Sequence, residues 1–212
     1  MNPFSDTLAF LMRGEWPIYL FWLLLIGSIA VAWVNLASDP EQRTVTHVWM
    51  GLARLLIGGL WWQQTLWKLP PTYTDHADGV TGGLHQWVGE MVDNAAFAWQ
   101  SAFVKEIVQS HFYFFAPQVY ALEVCIAISL ILGLFTRVGG TLGALMAINL
   151  WLGLYRASYE WPWTYFFLLL LQTTFVVLHA GRSLGVDAIL ARREKVASQP
   201  QGAAARVLAY LR

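Results

Sequence analysis

Apolar residues fall in five long blocks separated by short polar breaks, a pattern that predicts helices rather than strands. The blocks are 16–36, 45–69, 119–135, 138–155 and 163–179. Each lies near the span of about 20 apolar residues that crosses a hydrocarbon layer, within soft boundaries. Pro17 opens the first block at a helix start, and Ser38-Asp39-Pro40 closes it. Pro70-Pro71 stops the second. Only Thr136-Arg137 separates the third from the fourth, so those two are expected as a tight antiparallel hairpin. The first block carries a leader-like Ala30-Val31-Ala32, but it is too long for a leader, and Asp6, Arg13 and Glu15 before it are not net positive. It is expected as a retained helix.

Between the second and third blocks lies a different pattern. Residues 70–117 begin polar and Gly-rich. Leu84, Trp87, Val88, Met91, Val92, Ala95, Trp99, Ala102, Phe103 and Ile107 then recur at three and four spacing, with Gln86, Glu90, Asp93, Asn94, Gln100, Ser101 and Lys105 opposite. This predicts one or two amphipathic helices lying on the membrane or capping the bundle, either as a lid or as the wall of a site. The expected architecture is an all-α integral membrane protein: a four-helix transmembrane core, one extra N-terminal transmembrane helix and an amphipathic outer insert. Residues 1–44 hold the first helix and its loop, 45–190 the core with insert 70–117, and 191–212 a basic cytoplasmic tail.

Composition sharpens this picture. Hydrophobic residues make up 57% of the 212 and charged residues 12%, about half the usual share for a soluble domain. The twelve tryptophans suit membrane–water boundaries. A net charge of zero gives no basic field for nucleic acid. The lone Cys125 excludes an internal disulfide and is expected as a small buried apolar residue. Lys and Arg set the orientation. With the C-terminal tail cytoplasmic, eight of them (Arg43, Arg137, Arg182, Arg192, Arg193, Lys195, Arg206 and Arg212) lie inside and Arg13, Lys68, Lys105 and Arg156 outside. The N-terminus and the insert are then outside. The tail from Ser183 is expected as a surface helix near anionic lipid, interrupted at Ser198-Gln199-Pro200.

Ionisable residues inside the blocks are the candidates for chemistry, because a charge near the bilayer centre costs about 2.5–3.5 kcal/mol on insertion scales. Arg54 lies within the second block, either bonded to carbonyls of adjacent helices or lining a headgroup or quinone pocket. Gln63, Gln64 and Lys68 follow toward the outer end of that block. Glu123, expected about one turn inside the third helix, shares a leaflet with Lys68 and can pair with it; it is half of a structural ion pair or a proton carrier. Trp61, Trp62 and Trp67 can wall a flat ring. Gly51, Gly58 and Gly59 on the second helix, and Gly139, Gly143 and Ala147 on the fourth, permit close helix approach. Asn149 and Trp151 adjoin that second stripe. His76, His85 and His111 fall in the insert and His47 and His179 at the inner boundary, with no metal-ligand spacing. The outer cations Lys68, Lys105 and Arg156, with the insert histidines, can draw a small anion.

Several short motifs occur in a telling order. Arg54-Leu55-Leu56-x-Gly58 ending in Lys68-Leu69, then Leu122-Glu123, then Gly133-Leu134-Phe135-Thr136-Arg137, and last Gly181-Arg182-Ser183-Leu184-Gly185-Val186-Asp187 resemble the DoxX/DoxD-like membrane family over Thr46 to Leu190. The last is similar to its closing Gly-Arg-x-x-Gly-x-Asp signature, nearest the DoxD type. The resemblance implies a four-helix core in a bacterial or archaeal cytoplasmic membrane. In the DoxD type it implies the membrane subunit of thiosulfate:quinone oxidoreductase, in which thiosulfate is oxidised to tetrathionate outside and two electrons enter the quinone pool, with a second subunit supplied in trans. Other members of that family act as partners in larger membrane assemblies.

Two functions follow as expectations. In the first, the chain is a quinone-reactive subunit: Glu123 and Lys68 carry the chemistry, Arg54, Trp61, Trp62, Gln63, Gln64 and Trp67 hold the quinone, no metal is needed, and a sulfur anion supplies electrons. In the second, the chain is a non-catalytic accessory or scaffold subunit whose insert meets other subunits. A transporter is a weaker third, since discontinuous helices in repeated halves are not evident.

Overall fold

All five apolar blocks form helices in the computed structural model, which describes residues 2–12, 14–74 and 82–196. No strand occurs among them. A short helix α1 (Pro3–Leu11) precedes the first block; the Asn2 side chain caps it by accepting from the Phe4 N–H at 3.0 Å. The blocks give α2 (Trp16–Ser38), α3 (Val45–Thr65), α6 (Phe112–Leu132), α7 (Thr136–Gly153) and α8 (Pro162–Val177). The insert gives α4 (Gly83–Asn94) and α5 (Ala98–Phe103), the latter widening into a π-helical turn at Val104–Gln109. After α8 come a 3-10 turn (Ala180–Arg182) and α9 (Val186–Val196).

Three of the differences from the expected boundaries have a local cause. Helix α6 begins seven residues earlier than expected, at Phe112, so the insert ends at His111 rather than Pro117. Pro117 sits inside α6, where it costs only the bond to the Tyr113 carbonyl and breaks nothing further. Helix α3 ends at Thr65, and the turn beyond it folds Lys68 back into the protein interior. Helix α8 ends at Val177, because His179 takes a left-handed backbone, φ 51°. Gly133, at φ 68°, stops α6 in the same way.

The dominant interfaces are α3 on α6 and α7 on α8, with α6 also packing against α7 and α2. Helix α6 is therefore central. Its Ile126, Ala127, Leu130 and Ile131 are fully buried, with Ile57, Trp61, Trp62, Phe21, Met146 and Phe175 around them. Gly58 lets α3 approach this row, since a Cβ there would lie 2.9 Å from the Ile131 backbone. Ser28 donates to the Ile131 carbonyl at 2.7 Å and Asn35 to the Gly185 carbonyl at 3.0 Å, tying α2 to the bundle.

Two helices among the described residues, α2 and α6, are long and apolar enough to cross a membrane. Helices α3 and α7 have 21 and 18 residues but carry His47, Arg54, Gln63 and Gln64 in one and Arg137 with several glycines in the other. Helix α8 is apolar but has 16 residues.

Helices α4 and α5 cover the end of the bundle where α3 finishes and α6 begins. Their apolar face packs with Tyr73, Phe112 and Ala116. Ala96 donates to the Leu152 carbonyl and Arg156 to that of Asn94, fixing this cap to the end of α7. The amphipathic pattern of the insert is realised as two helices broken at residues 95–97.

Candidate functional site

Lys68 reaches inward from beyond the end of α3, and Glu123 projects from α6. The ammonium lies 2.6 Å from both carboxylate oxygens. Both residues are buried, at 4% and 3% exposure. Glu123 sits eleven residues after α6 begins, near its middle, rather than one turn inside; the early start of the helix is the cause. The Trp67 ring centroid is 4.4 Å from the Lys68 nitrogen, a cation–π distance. Trp87 of α4 meets Trp67 at 6.2 Å. Tyr120, one turn before Glu123, meets Tyr73 at 6.3 Å. Tyr73 holds a left-handed backbone, φ 58°. It is fixed there by its N–H donating to Leu69 and its carbonyl accepting from Leu84, each at 2.8 Å.

Arg54 occupies a separate place. Its Nη1 donates to the carbonyls of Leu130 and, at 3.0 Å, Ile131, where α6 ends. It is 1% exposed, and its guanidinium fills a slot between helix ends: a Cβ on Gly133 would lie 2.7 Å from the Arg54 Cζ. Trp61 and Trp62 pack in the hydrophobic core, and the Trp62 indole donates to the Pro17 carbonyl of α2 at 3.2 Å. Gln63 and Gln64 are exposed. Of the eight residues expected at the site, the structure brings together Lys68, Glu123 and Trp67, and leaves Arg54, Trp61, Trp62, Gln63 and Gln64 elsewhere.

The opposite end of the bundle holds a second polar centre that sequence reasoning recognised only as a motif. Asp187 is fully buried. Its carboxylate accepts from the backbone N–H groups of Phe135 and Thr136 at 2.9 and 3.1 Å and from the Thr136 hydroxyl at 2.9 Å. It thus caps α7 from another part of the chain. The Gly181 N–H donates to the same hydroxyl at 2.9 Å, and the Gly133 carbonyl accepts from the Asp187 N–H at 2.9 Å. Gln42 donates to the Arg182 carbonyl at 3.0 Å and accepts from the Leu184 N–H at 2.9 Å, while His47 meets the Ser183 hydroxyl at 2.8 Å. The segment expected to be surface tail from Ser183 onward therefore starts as buried structure, because its backbone closes the α6–α7 turn. Residues 198–200, Arg206 and Arg212 lie outside the described residues.

Other expectations resolve locally. Cys125 is exposed rather than buried, since it lies on the face of α6 away from its partner helices. Gly143 lies against the Gln172 side chain, 2.6 Å from a Cβ placed there. Gln172 is fully buried, and its amide has no hydrogen-bond partner among the described residues. His85 packs edge-on to Phe112 at 5.0 Å, and His111, directly before α6, turns its ring to the Ile107 carbonyl at 3.0 Å. His76 lies outside the described residues. No group of three His, Cys, Asp or Glu residues that could hold a metal converges among the described residues. Lys105 is exposed, and Arg156 bonds the Ala96 carbonyl at 3.1 Å, so neither joins Lys68.

Comparison with protein-family models, with curated proteins and with solved structures finds no match to this chain. The class of molecule defined by fold and site is thus a helical bundle with two buried polar centres, one at each end.

Proposed function

We propose that the chain is an integral membrane protein in which α3, α6, α7 and α8 form a transmembrane core with α2 as an additional span, and that it is the membrane subunit of a quinone-linked oxidoreductase. The membrane reading is supported by α2, whose most apolar 18-residue window is only 17% buried. A soluble core helix of that composition would be buried. A leader sequence would not be tied to the bundle through Ser28 and Asn35. The cationic end that holds Arg43, Arg137, Arg182, Arg192 and Arg193 then faces the cytoplasm, and the cap lies outside.

The observation that carries the functional reading is the buried Lys68–Glu123 pair beside Trp67. A quinone head needs a flat wall, a donor to its carbonyl oxygen and a source of protons, and these three residues supply that set. Were a quinone held there, its reduction would need two electrons from the donor and two protons; Glu123 would hold and pass one proton, water at the cap side would supply the second, and Lys68 would donate to the ligand oxygen. A small sulfur anion such as thiosulfate, reaching the cap side, is the electron donor that the family resemblance suggests. The direct pairing of Lys68 with Glu123 favours a second reading, a non-catalytic accessory subunit of a larger complex. Gentle detergent purification with mass spectrometry of co-purifying quinones and subunits separates the two. The oxidoreductase reading expects bound quinone and thiosulfate-dependent reduction of a quinone analogue. Purification solely as a stoichiometric member of a complex whose redox groups lie in other chains would leave this chain an accessory.

A further inference from the structure

The apolar arc of α5 and its π-helical extension is wider than the cap uses. One edge packs inward: Gln100 and Val104 are buried, and Val104 and Val108 meet Leu84, Val88, Phe112 and Ala116. Trp99, Phe103 and Ile107 each directly precede a residue of that edge, so they form a second stripe beside it. This stripe is open, with Trp99 and Phe103 66% and 51% exposed. Phe97 stacks on Trp99 with centroids 6.0 Å apart and planes at 13°, which adds another exposed ring. Lys105 and Glu106, also exposed, lie on the remaining polar side. The cap is held against rolling this stripe inward. The Ser101 hydroxyl donates to the Val92 carbonyl at 2.6 Å, Ala96 to that of Leu152 at 2.7 Å and Arg156 to that of Asn94 at 2.9 Å.

The depth of the stripe identifies what covers it. Helix α6 has 21 residues, a length of about 31 Å at 1.5 Å per residue, close to the bilayer's hydrocarbon thickness of about 30 Å. Phe112 and Ala116 belong to its first and second turns. Val104, packed on them, therefore places α5 level with the outer boundary of the hydrocarbon rather than above it. At the same end Tyr113 and Phe114 of α6, and Trp161 and Trp163 at the start of α8, are exposed. Aromatic rings gather at this level because an apolar ring and a polar edge are both satisfied there. The open stripe of α5 continues that belt. A helix with one apolar side and charges on the other is the form that lies in the interface plane.

We propose that the Trp99, Phe103 and Ile107 edge of α5 is seated in the outer leaflet of the bilayer, at the boundary of headgroups and acyl chains. Lipid covers what the cap leaves open, and the cap has two supports, the bundle on one edge and the bilayer on the other. The proposal rests on the membrane reading and not on the quinone reading.

The test reads depth directly. Full-length protein carrying one nitroxide label is reconstituted in dioleoylphosphatidylcholine vesicles. Electron paramagnetic resonance then compares collision with oxygen, which partitions into lipid, and with a water-soluble nickel chelate. Wild type takes the label at Cys125, exposed on α6. In a C125A background, W99C and F103C report the proposed edge and D93C the exposed surface of α4. All three native side chains are exposed, so the labelled variants should keep the wild-type circular dichroism. The ratio of oxygen to nickel collision should be several-fold higher at W99C and F103C than at D93C, and higher still at Cys125. Equal ratios at W99C, F103C and D93C would put this edge in water and overturn the proposal. Little collision with either reagent at W99C and F103C would mean that a second copy of the chain covers it, and would overturn the proposal equally. A Cys125 label as open to nickel as D93C would overturn the membrane reading itself. That outcome is distinct from a lipid-shielded Cys125 in a protein whose cap stands in water.

Discussion

At one end of the bundle Asp187 accepts three hydrogen bonds from two backbone amides and a hydroxyl; at the other Glu123 faces a single ammonium. Both carboxylates are buried. The first is satisfied by neutral donors that the fold must place there anyway, because α7 begins with unpaired N–H groups. Its function is to fasten the α6–α7 turn. The second depends on one long, flexible side chain, flanked by Trp67 and covered by a cap held through a few loop bonds. The contrast separates a polar centre that fastens the fold from the one on which the proposed chemistry rests.

The largest expected effect lies at the fastening centre. D187A strands three donors and should destabilise the detergent-solubilised protein by about 4 kcal/mol, read in an unfolding titration. D187N, which keeps an acceptor, should recover part of that. A loss below about 1 kcal/mol would erase the contrast.

The pair should behave differently. K68M or E123Q alone leaves a buried group without its partner and should cost about 3 kcal/mol, whereas K68M/E123L, which removes both charges, should lie within about 1 kcal/mol of wild type. A double variant as unstable as the singles would mean that this centre, too, is part of the fastening.

A smaller effect is expected at Gln172, whose buried amide has no partner among the described residues. Q172L should be neutral or stabilising by about 1 kcal/mol. Marked destabilisation would show that the α7–α8 interface needs a polar group there. The smallest effect belongs to the cap. Burial, then the hydrogen bond and charge of Glu90 and the charges of Glu160 and Asp93, push the Tyr159 phenol up to about 12. A raised folded value means that the protonated form stabilises, fully below pH 10 and with loss between 10 and about 12. Tyr159 is 60% exposed, so solvent screens the effect. Wild type should lose stability across that window slightly more steeply than Y159F; parallel curves would remove Tyr159 from the cap's attachment.

Much of the fold was legible because apolar periodicity reports helices directly. All five blocks are helices, the α6–α7 hairpin turns at Gly133, and the insert forms a two-helix cap. The boundaries were less legible where a single residue overrides the pattern: Pro117 sits inside a helix rather than before it, and left-handed His179 stops α8 two residues early. Lys68 and Glu123 were read as able to pair, because two opposite charges inside apolar blocks at one end of a bundle need each other. Arg54, Gln63 and Gln64 lie in the same apolar block as Lys68, yet α3 ends at Thr65 before it, and helix periodicity says which residues share a face and not which neighbour lies opposite. The fastening centre was visible as Gly181, Gly185 and Asp187 in sequence. That Asp187 caps a helix fifty residues earlier depends on tertiary proximity, for which the sequence carries no periodic signal. Asn35 and Gln172, polar residues inside apolar blocks, were the overlooked signs of helix contacts.

The most direct test of the central claim compares purified wild type with K68M/E123L for thiosulfate-dependent reduction of a quinone analogue, with unfolding measured on the same samples. The account predicts a double variant as stable as wild type, within about 1 kcal/mol, and without turnover. A folded double variant that turns over at the wild-type rate would contradict it.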